Sequence, residues 1–207
     1  MDTAQIVGFV GLKGSGKDTA ANCLEGEGYS RAAYADPLRD IVVRMFQLED
    51  SKYLNGPGKE EPGPLGVSYR EGMQVVGTDF VREQLKDLLP NVHGKKGEFW
   101  LEHMRATIER CAQEGKNLAI TDVRFENEAD QIIKHGGLLF FVFRPPELLE
   151  DFYGASGWKA GDTHPSETGV DIIRKKYEGH ANFRLLTNDS TVAELHQKVH
   201  KALRPLE

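Results

Sequence analysis

At 207 residues, with 39% apolar and 28% charged residues, the chain has the size and composition of one globular α/β domain, with or without an inserted lid. A net charge of −6 argues against a broad nucleic-acid-binding face and leaves room only for a local basic pocket. No apolar run is long enough to span a bilayer, no basic segment precedes an apolar one at the start, and the two cysteines, Cys23 and Cys111, lie far apart in helical patterns as small core residues, so the expectation is a soluble protein of the reducing cytoplasm with no disulfide and no membrane partner.

In chain order, "IVGFVG" (Ile6–Gly11) reads as a buried strand, and Lys17 to about Glu27 as a helix stopped by Gly26 and Gly28. "YSRAAYA" is a candidate second strand. Asp36 and Pro37 then start a helix, with the aspartate as N-cap and the proline at the first helical position. Residues 51–66 are rich in Gly and Pro and read as a loop. Helical patterns follow over about 69–89 and 98–114. "NLAIT" (Asn117–Thr121) and "GLLFFVF" (Gly137–Phe143) are strong strands, 145–180 looks like a flap, "FRLLT" is a last strand, and 190–204 closes the chain as an amphipathic helix. Strands alternating with helices predict a parallel sheet covered on both faces.

Between the first strand and first helix stands "GLKGSGKDT", Gly11–Thr19. It fits G-x-x-x-x-G-K, but Asp18 stands where a hydroxyl is usual, and Thr19 comes one position later. Glycines at 11, 14 and 16 let backbone N–H groups converge on a phosphate, the helix start adds positive potential, and Lys17 adds a point charge. Lys13 and Ser15 belong to the same loop. A carboxylate at Asp18 can hold magnesium directly or through water, and Thr19 can still donate to a phosphate oxygen. Asp122, at the end of a buried strand, is placed either to hold magnesium or its water shell or to cap the next helix. Arg124 can grip a phosphate bidentately or pair with Glu128 four residues on. Arg39, in the first turn of a helix, is explained by an anionic ligand or by a solvated face. Arg70 and Arg82, alone, read as surface charges, and His164 as a structural or exposed histidine. Seven histidines without Cys/His spacing give no case for zinc.

Together these pieces resemble the deoxynucleoside monophosphate kinases of tailed phages. The matching marks are "GLKGSGKDT", "ADPLR", "YRE" before "GTDFVRE" and "FW", "TDVRFENEAD" followed by "GG", Arg144–Pro145, "HPSE" and "NDSTVAEL", in order over nearly the whole chain. That family commonly carries G-K-D-T in its loop. The resemblance implies a three-layer α/β P-loop kinase fold with about five parallel strands and a lid insertion. The division would be a core (1–50, 98–144, 181–207), an acceptor-binding helical region (51–97) and a lid (145–180). It implies transfer of the γ-phosphoryl group of ATP, with Mg2+, to a deoxynucleoside 5′-monophosphate. Lys17, Asp18, Arg124 and Arg144 would be catalytic, and Asp18 and Asp122 would hold the metal. The acceptor would meet Asp36, Arg39, Arg70, Thr78, Asp79, Arg82, Trp100, Arg124, Glu128, His164, Ser166 and Glu167. The resemblance allows a homodimer, and a phage origin would place the protein in the host cytoplasm. Phosphomevalonate and dephospho-CoA kinases share a similar loop. A rival of another class is a nucleotide-regulated binding protein that hydrolyses ATP slowly and grips a partner through Phe152, Tyr153 and Trp158 of the flap.

Overall fold

The computed structural model describes residues 4–54, 56–89, 98–148 and 165–204. The chain divides into two compact units, the first made of residues 1–33 and 105–207 and the second of Tyr34–Met104. The second therefore begins earlier than the helical region set off in sequence, and takes in the helix that starts at Asp36.

The first unit is built on a parallel sheet of β1 (Ile6–Val10), β2 (Tyr29–Ala32), β3 (Asn117–Val123), β4 (Leu138–Phe143) and β5 (Phe183–Thr187). The order is β2-β3-β1-β4-β5, and every pairing is parallel. β1 lies in the middle, which is why all five of its residues are buried and why it reads as an unbroken apolar run rather than an alternating one. Its alternate side chains feed two faces. Val7 and Phe9 pack with Ala20, Ala21 and Leu24 of α1 (Lys17–Asn22) and its exit, and with Leu195 and Val199 of the closing helix Val192–Leu203. Gly8 faces the other way, where an added Cβ would lie 2.4 Å from Ile132 Cδ1 and 3.1 Å from Val123 Cγ2. Ile132 belongs to α6 (Glu126–Lys134), so helices cover both faces in the expected three layers.

β3 runs to Val123, two residues beyond the predicted strand. Gly8 pairs with Ile120 but Val10 pairs with Val123, so β3 carries one extra residue there. Such a bulge re-aims the side chains around it, and Asp122 sits inside it. Within the segment 145–180, Pro165–Tyr177 form a helix, α7, ahead of β5. Lys176 of α7 bonds Glu126 and Asp130 of α6, and the Tyr177 hydroxyl donates to Asp130 as well. Burial and that donation raise the Tyr177 phenol to about 12. Both cysteines are free thiols, and burial raises Cys23 to about 11, which makes it a poor nucleophile at neutral pH.

The second unit is helical. α2 (Asp36–Met45) buries Leu38 and Val42. Asp36 is its first helical residue and Ala35 its N-cap, so the predicted cap is displaced by one: Ala35 has already turned to φ −84°, ψ −1°, and no side chain caps the end. α3 (Tyr69–Gln74) starts with a capping box, in which Ser68 Oγ accepts from the Glu71 N–H at 3.2 Å and Glu71 faces the Ser68 N–H. The single helix predicted over 69–89 is three pieces: α3, a π-helical stretch Val75–Gln84, and α4 (Leu85–Leu88). Gly72 and Gly77 let this run lie close to α2, since a Cβ at either would meet Val42 Cγ1 at 2.8 Å or Leu38 Cδ2 at 2.3 Å. Residues Phe99–Met104 of α5 (Phe99–Gln113) belong to this unit, and the rest of α5 to the first.

Candidate active site

Parallel strands end at one edge of a sheet, so the topology gathers Gly11 after β1, Asp122 and Arg124 at the end of β3, Arg144 after β4 and Asn188 after β5. β1 and β3 are neighbours whose following helices lie on opposite faces, α1 on one and α6 on the other. Between two such strands a crevice opens outside their carboxyl ends, where open α/β sheets bind ligands.

The loop Leu12–Gly16 borders that crevice. Gly14 and Gly16 adopt φ of 77° and 90°, the left-handed conformation in which glycine alone is unstrained. A Cβ on Gly11 would lie 2.5 Å from Ser15 Oγ and 2.7 Å from the Val142 carbonyl oxygen, so the loop closes on itself and on β4 only around a bare Cα. Ser15 is buried, and its Oγ has no hydrogen-bond partner among the described residues. An unmatched hydroxyl in a glycine cradle suits a ligand that brings its own acceptors. Lys17 opens α1 and is only 6% exposed, so the loop holds its ammonium group largely out of water. Lys13 is half-buried in the same loop, and the Thr19 carbonyl sits 2.9 Å from His196 Nε2, which ties α1 to the closing helix α8 (Val192–Leu203).

Asp18 behaves differently. Its side chain is 63% exposed and lies 3.3 Å from Arg31, which also bonds Glu25 and Asn22. Asp122 is half-buried, and Val123 beyond it is buried. Glu128 is 1% exposed, and its Oε2 accepts from the backbone N–H groups of Arg124 at 2.9 Å and Phe125 at 3.2 Å. Its carboxylate therefore caps α6 and shapes the turn that carries Arg124. Gly169 of α7 backs the same turn, since a Cβ there would be 2.3 Å from the Arg124 carbonyl oxygen. Among the described residues no group of three or more His, Cys, Asp or Glu could hold a metal ion alone.

In the second unit, Arg39 Nε donates to the Tyr69 hydroxyl at 3.2 Å and its guanidinium lies 3.6 Å from Asp36. Arg70 pairs with Glu60. Thr78 and Arg82 are buried on the π-helical stretch, each 8% exposed, whereas Asp79 faces solvent. Trp100 Nε1 donates to the Gly77 carbonyl at 3.1 Å and so fixes that stretch. A π-helical segment is uncommon and frequents functional sites. His164, Phe152, Tyr153 and Trp158 fall outside the described residues, as do the side chains of Ser166 and Glu167.

The family model of deoxynucleotide monophosphate kinase matches residues 64–199. The chain belongs to that kinase family. A protein of Acanthamoeba polyphaga mimivirus carrying the name deoxynucleotide monophosphate kinase is 32% identical over 200 residues, which are 94% of this chain and 93% of the relative. Family membership makes the chain a phosphotransferase. Two solved kinases share the fold: a dephospho-CoA kinase from Campylobacter jejuni (TM-score 0.50, 13% identity, 97% of this chain and 96% of that one) and a sugar kinase from a Janibacter species (TM-score 0.55, 13% identity, 97% and 94%). They place the deoxynucleotide monophosphate kinase chain in the P-loop kinase fold and say nothing of its substrate. Asn188, within the motif "NDSTVAEL", also reaches the loop. Its amide donates to the Ser15 carbonyl, a contact no local pattern reveals.

Proposed function

We propose that this deoxynucleotide monophosphate kinase moves the γ-phosphoryl group of ATP to the 5′-phosphate of a deoxynucleoside monophosphate, with the donor phosphates in the loop Gly11–Thr19. The observation that carries the reading is the glycine cradle, with buried Lys17 and the unmatched Ser15 hydroxyl, at the crevice beside Asp122. An anionic oxygen of the acceptor phosphate attacks the γ-phosphorus, the bond from that phosphorus to the β–γ bridging oxygen breaks, and ADP leaves with the electron pair. No proton need move, so the protein's work is alignment and charge neutralisation. Lys17 holds the donor phosphates. Arg124, Arg144, Arg39, Arg70 and Arg82 are the cations proposed for the acceptor and the transferring group, with Thr78, Asp79 and Trp100 shaping the acceptor region. Magnesium, if bound, would supply positive charge that offsets that of the phosphate oxygens. Lack of a multi-carboxylate cluster among the described residues suits it, because magnesium usually keeps waters and takes one or two protein carboxylates plus substrate phosphate. Asp122 and the exposed Asp18 are the residues that would hold it, directly or through water. The two free thiols accord with a cytoplasmic location.

Steady-state kinetics with each substrate varied against the other at saturation tests the acceptor assignment. Arg82→Lys and Arg124→Lys keep the charge and lose the planar fork. Each should raise KM for the monophosphate about tenfold, or about 1.4 kcal/mol, with KM for ATP nearly unchanged. A change in the ATP constant alone would put these arginines on the donor, and no change at all would remove both from the acceptor site. Asp18→Ser should retain turnover and move the magnesium dependence several-fold. A magnesium titration that superimposes on that of the wild type assigns Asp18 to Arg31 alone.

A further inference from the structure

Asn188 stands in the turn between β5 and α8 and takes part in no step above. Its side-chain amide donates to the Ser15 carbonyl at 2.9 Å. Its backbone N–H donates to the Phe143 carbonyl at 2.7 Å, so the residue is fastened to the end of β4 while it holds the loop. The partner is a carbonyl oxygen, so the atom facing it must be the amide nitrogen. No peptide bond among the described residues is cis. In a trans peptide the C=O and the following N–H point in opposite directions. Holding the Ser15 carbonyl toward Asn188 therefore aims the Gly16 N–H away from the β5–α8 turn. Gly16 completes the fit: with φ at +90°, a Cβ there would lie 2.3 Å from Asn188 Nδ2. The last glycine of the loop thus serves two needs, its backbone conformation and the close approach of this amide.

We propose that Asn188 is a positioning residue for donor-phosphate binding, which sets the Ser15–Gly16 peptide so that the Gly16 N–H meets a phosphate oxygen. The proposal rests on the reading of Gly11–Thr19 as the donor loop. Aspartate has the shape of asparagine but no N–H, so at this position it sets an oxygen against the Ser15 carbonyl, and alanine leaves the carbonyl untethered.

The test compares wild type, Asn188→Ala, Asn188→Asp and Lys17→Ala. ADP binding is measured by calorimetry in the presence of magnesium, KM for each substrate by steady-state kinetics, and the thermal midpoint by circular dichroism. Asn188→Ala should weaken ADP binding about tenfold and Asn188→Asp more, with KM for the monophosphate within about twofold of wild type. Asn188→Ala binding ADP like wild type would overturn the proposal, whatever Asn188→Asp does, because an effect of aspartate alone is one of charge. Equal losses for ADP and the monophosphate would overturn it too, by showing general damage. If Lys17→Ala keeps full turnover, the donor-loop reading itself fails. If Lys17→Ala is inactive while both Asn188 variants match wild type, only the positioning role fails.

Discussion

Lys17→Ala should lower kcat at least a hundredfold while the protein stays folded. Lys17 follows Gly16 directly, opens α1 and is only 6% exposed. A charge held in place before the reaction gains on the transition state, because nothing need reorganise as charge builds on the transferring phosphoryl group. Removing one such preorganised contact costs roughly 3 kcal/mol, about two orders of magnitude in rate. Lys17→Met separates this from packing, since methionine keeps most of the apolar stem and loses the charge. Both variants should fail alike in kcat and keep a thermal midpoint close to that of wild type. The check is turnover of the purified variants at saturating ATP and monophosphate. Turnover near that of wild type in Lys17→Met would show that the ammonium takes no part in transfer.

The strands were readable because this sheet is covered on both faces. Ile6–Val10 and Leu138–Phe143 are apolar runs bounded by glycine, proline or polar residues, and burial on both sides selects for such runs, whereas Phe183–Thr187, which contains Arg184 and an exposed Leu185, is a half-buried edge strand. The loop proposed for the donor phosphates rests on a local signature, glycines at fixed spacing and then a lysine. What escaped detection depends on contacts distant in sequence. Asn188 and Ser15 are 173 residues apart, and no pattern in either segment links them. The bulge at Asp122 arises from the pairing of β3 with β1, not from anything in "AITDV". The π-helical stretch keeps a helix-like alternation of apolar and polar residues, so its wider winding shows only in bonds such as that from the Leu85 N–H to the Phe80 carbonyl. Aspartate before proline is a common cap signature, but the chain turns helical a residue earlier, so the Asp36 carboxylate lies in the first turn. Helix α7 was hidden by the glycine and proline around it. The spacing of Arg124 and Glu128 does not announce that the Glu128 carboxylate accepts from the Arg124 main-chain N–H.

That last contact supports the second large effect. Glu128→Ala should destabilise the protein by about 3 kcal/mol, because hydrogen bonds to a charged acceptor are worth roughly 1.5–3 kcal/mol and the two here share one carboxylate. Glu128 is 1% exposed and accepts from the N–H groups of Arg124 and Phe125 where α6 begins. A negative charge there also opposes the positive end of the helix. Alanine would leave both donors without their acceptor, in a turn already backed by Gly169 against the Arg124 carbonyl, with little freedom to rearrange. For a chain of this size the loss corresponds to a fall in thermal midpoint of roughly 10 °C. Glu128→Gln keeps one acceptor oxygen and the side-chain volume but loses the charge, and should fall between alanine and wild type. The same turn carries Arg124. At a temperature where Glu128→Ala is fully folded, KM for the monophosphate should therefore rise with KM for ATP little changed, as for Arg124→Lys. Thermal unfolding and kinetics on the two variants check both parts. A midpoint within about 1 °C of wild type for Glu128→Ala would mean that water takes over the two N–H groups. A lowered midpoint with an unchanged monophosphate constant would confine Glu128 to the helix cap and detach the Arg124 turn from the acceptor.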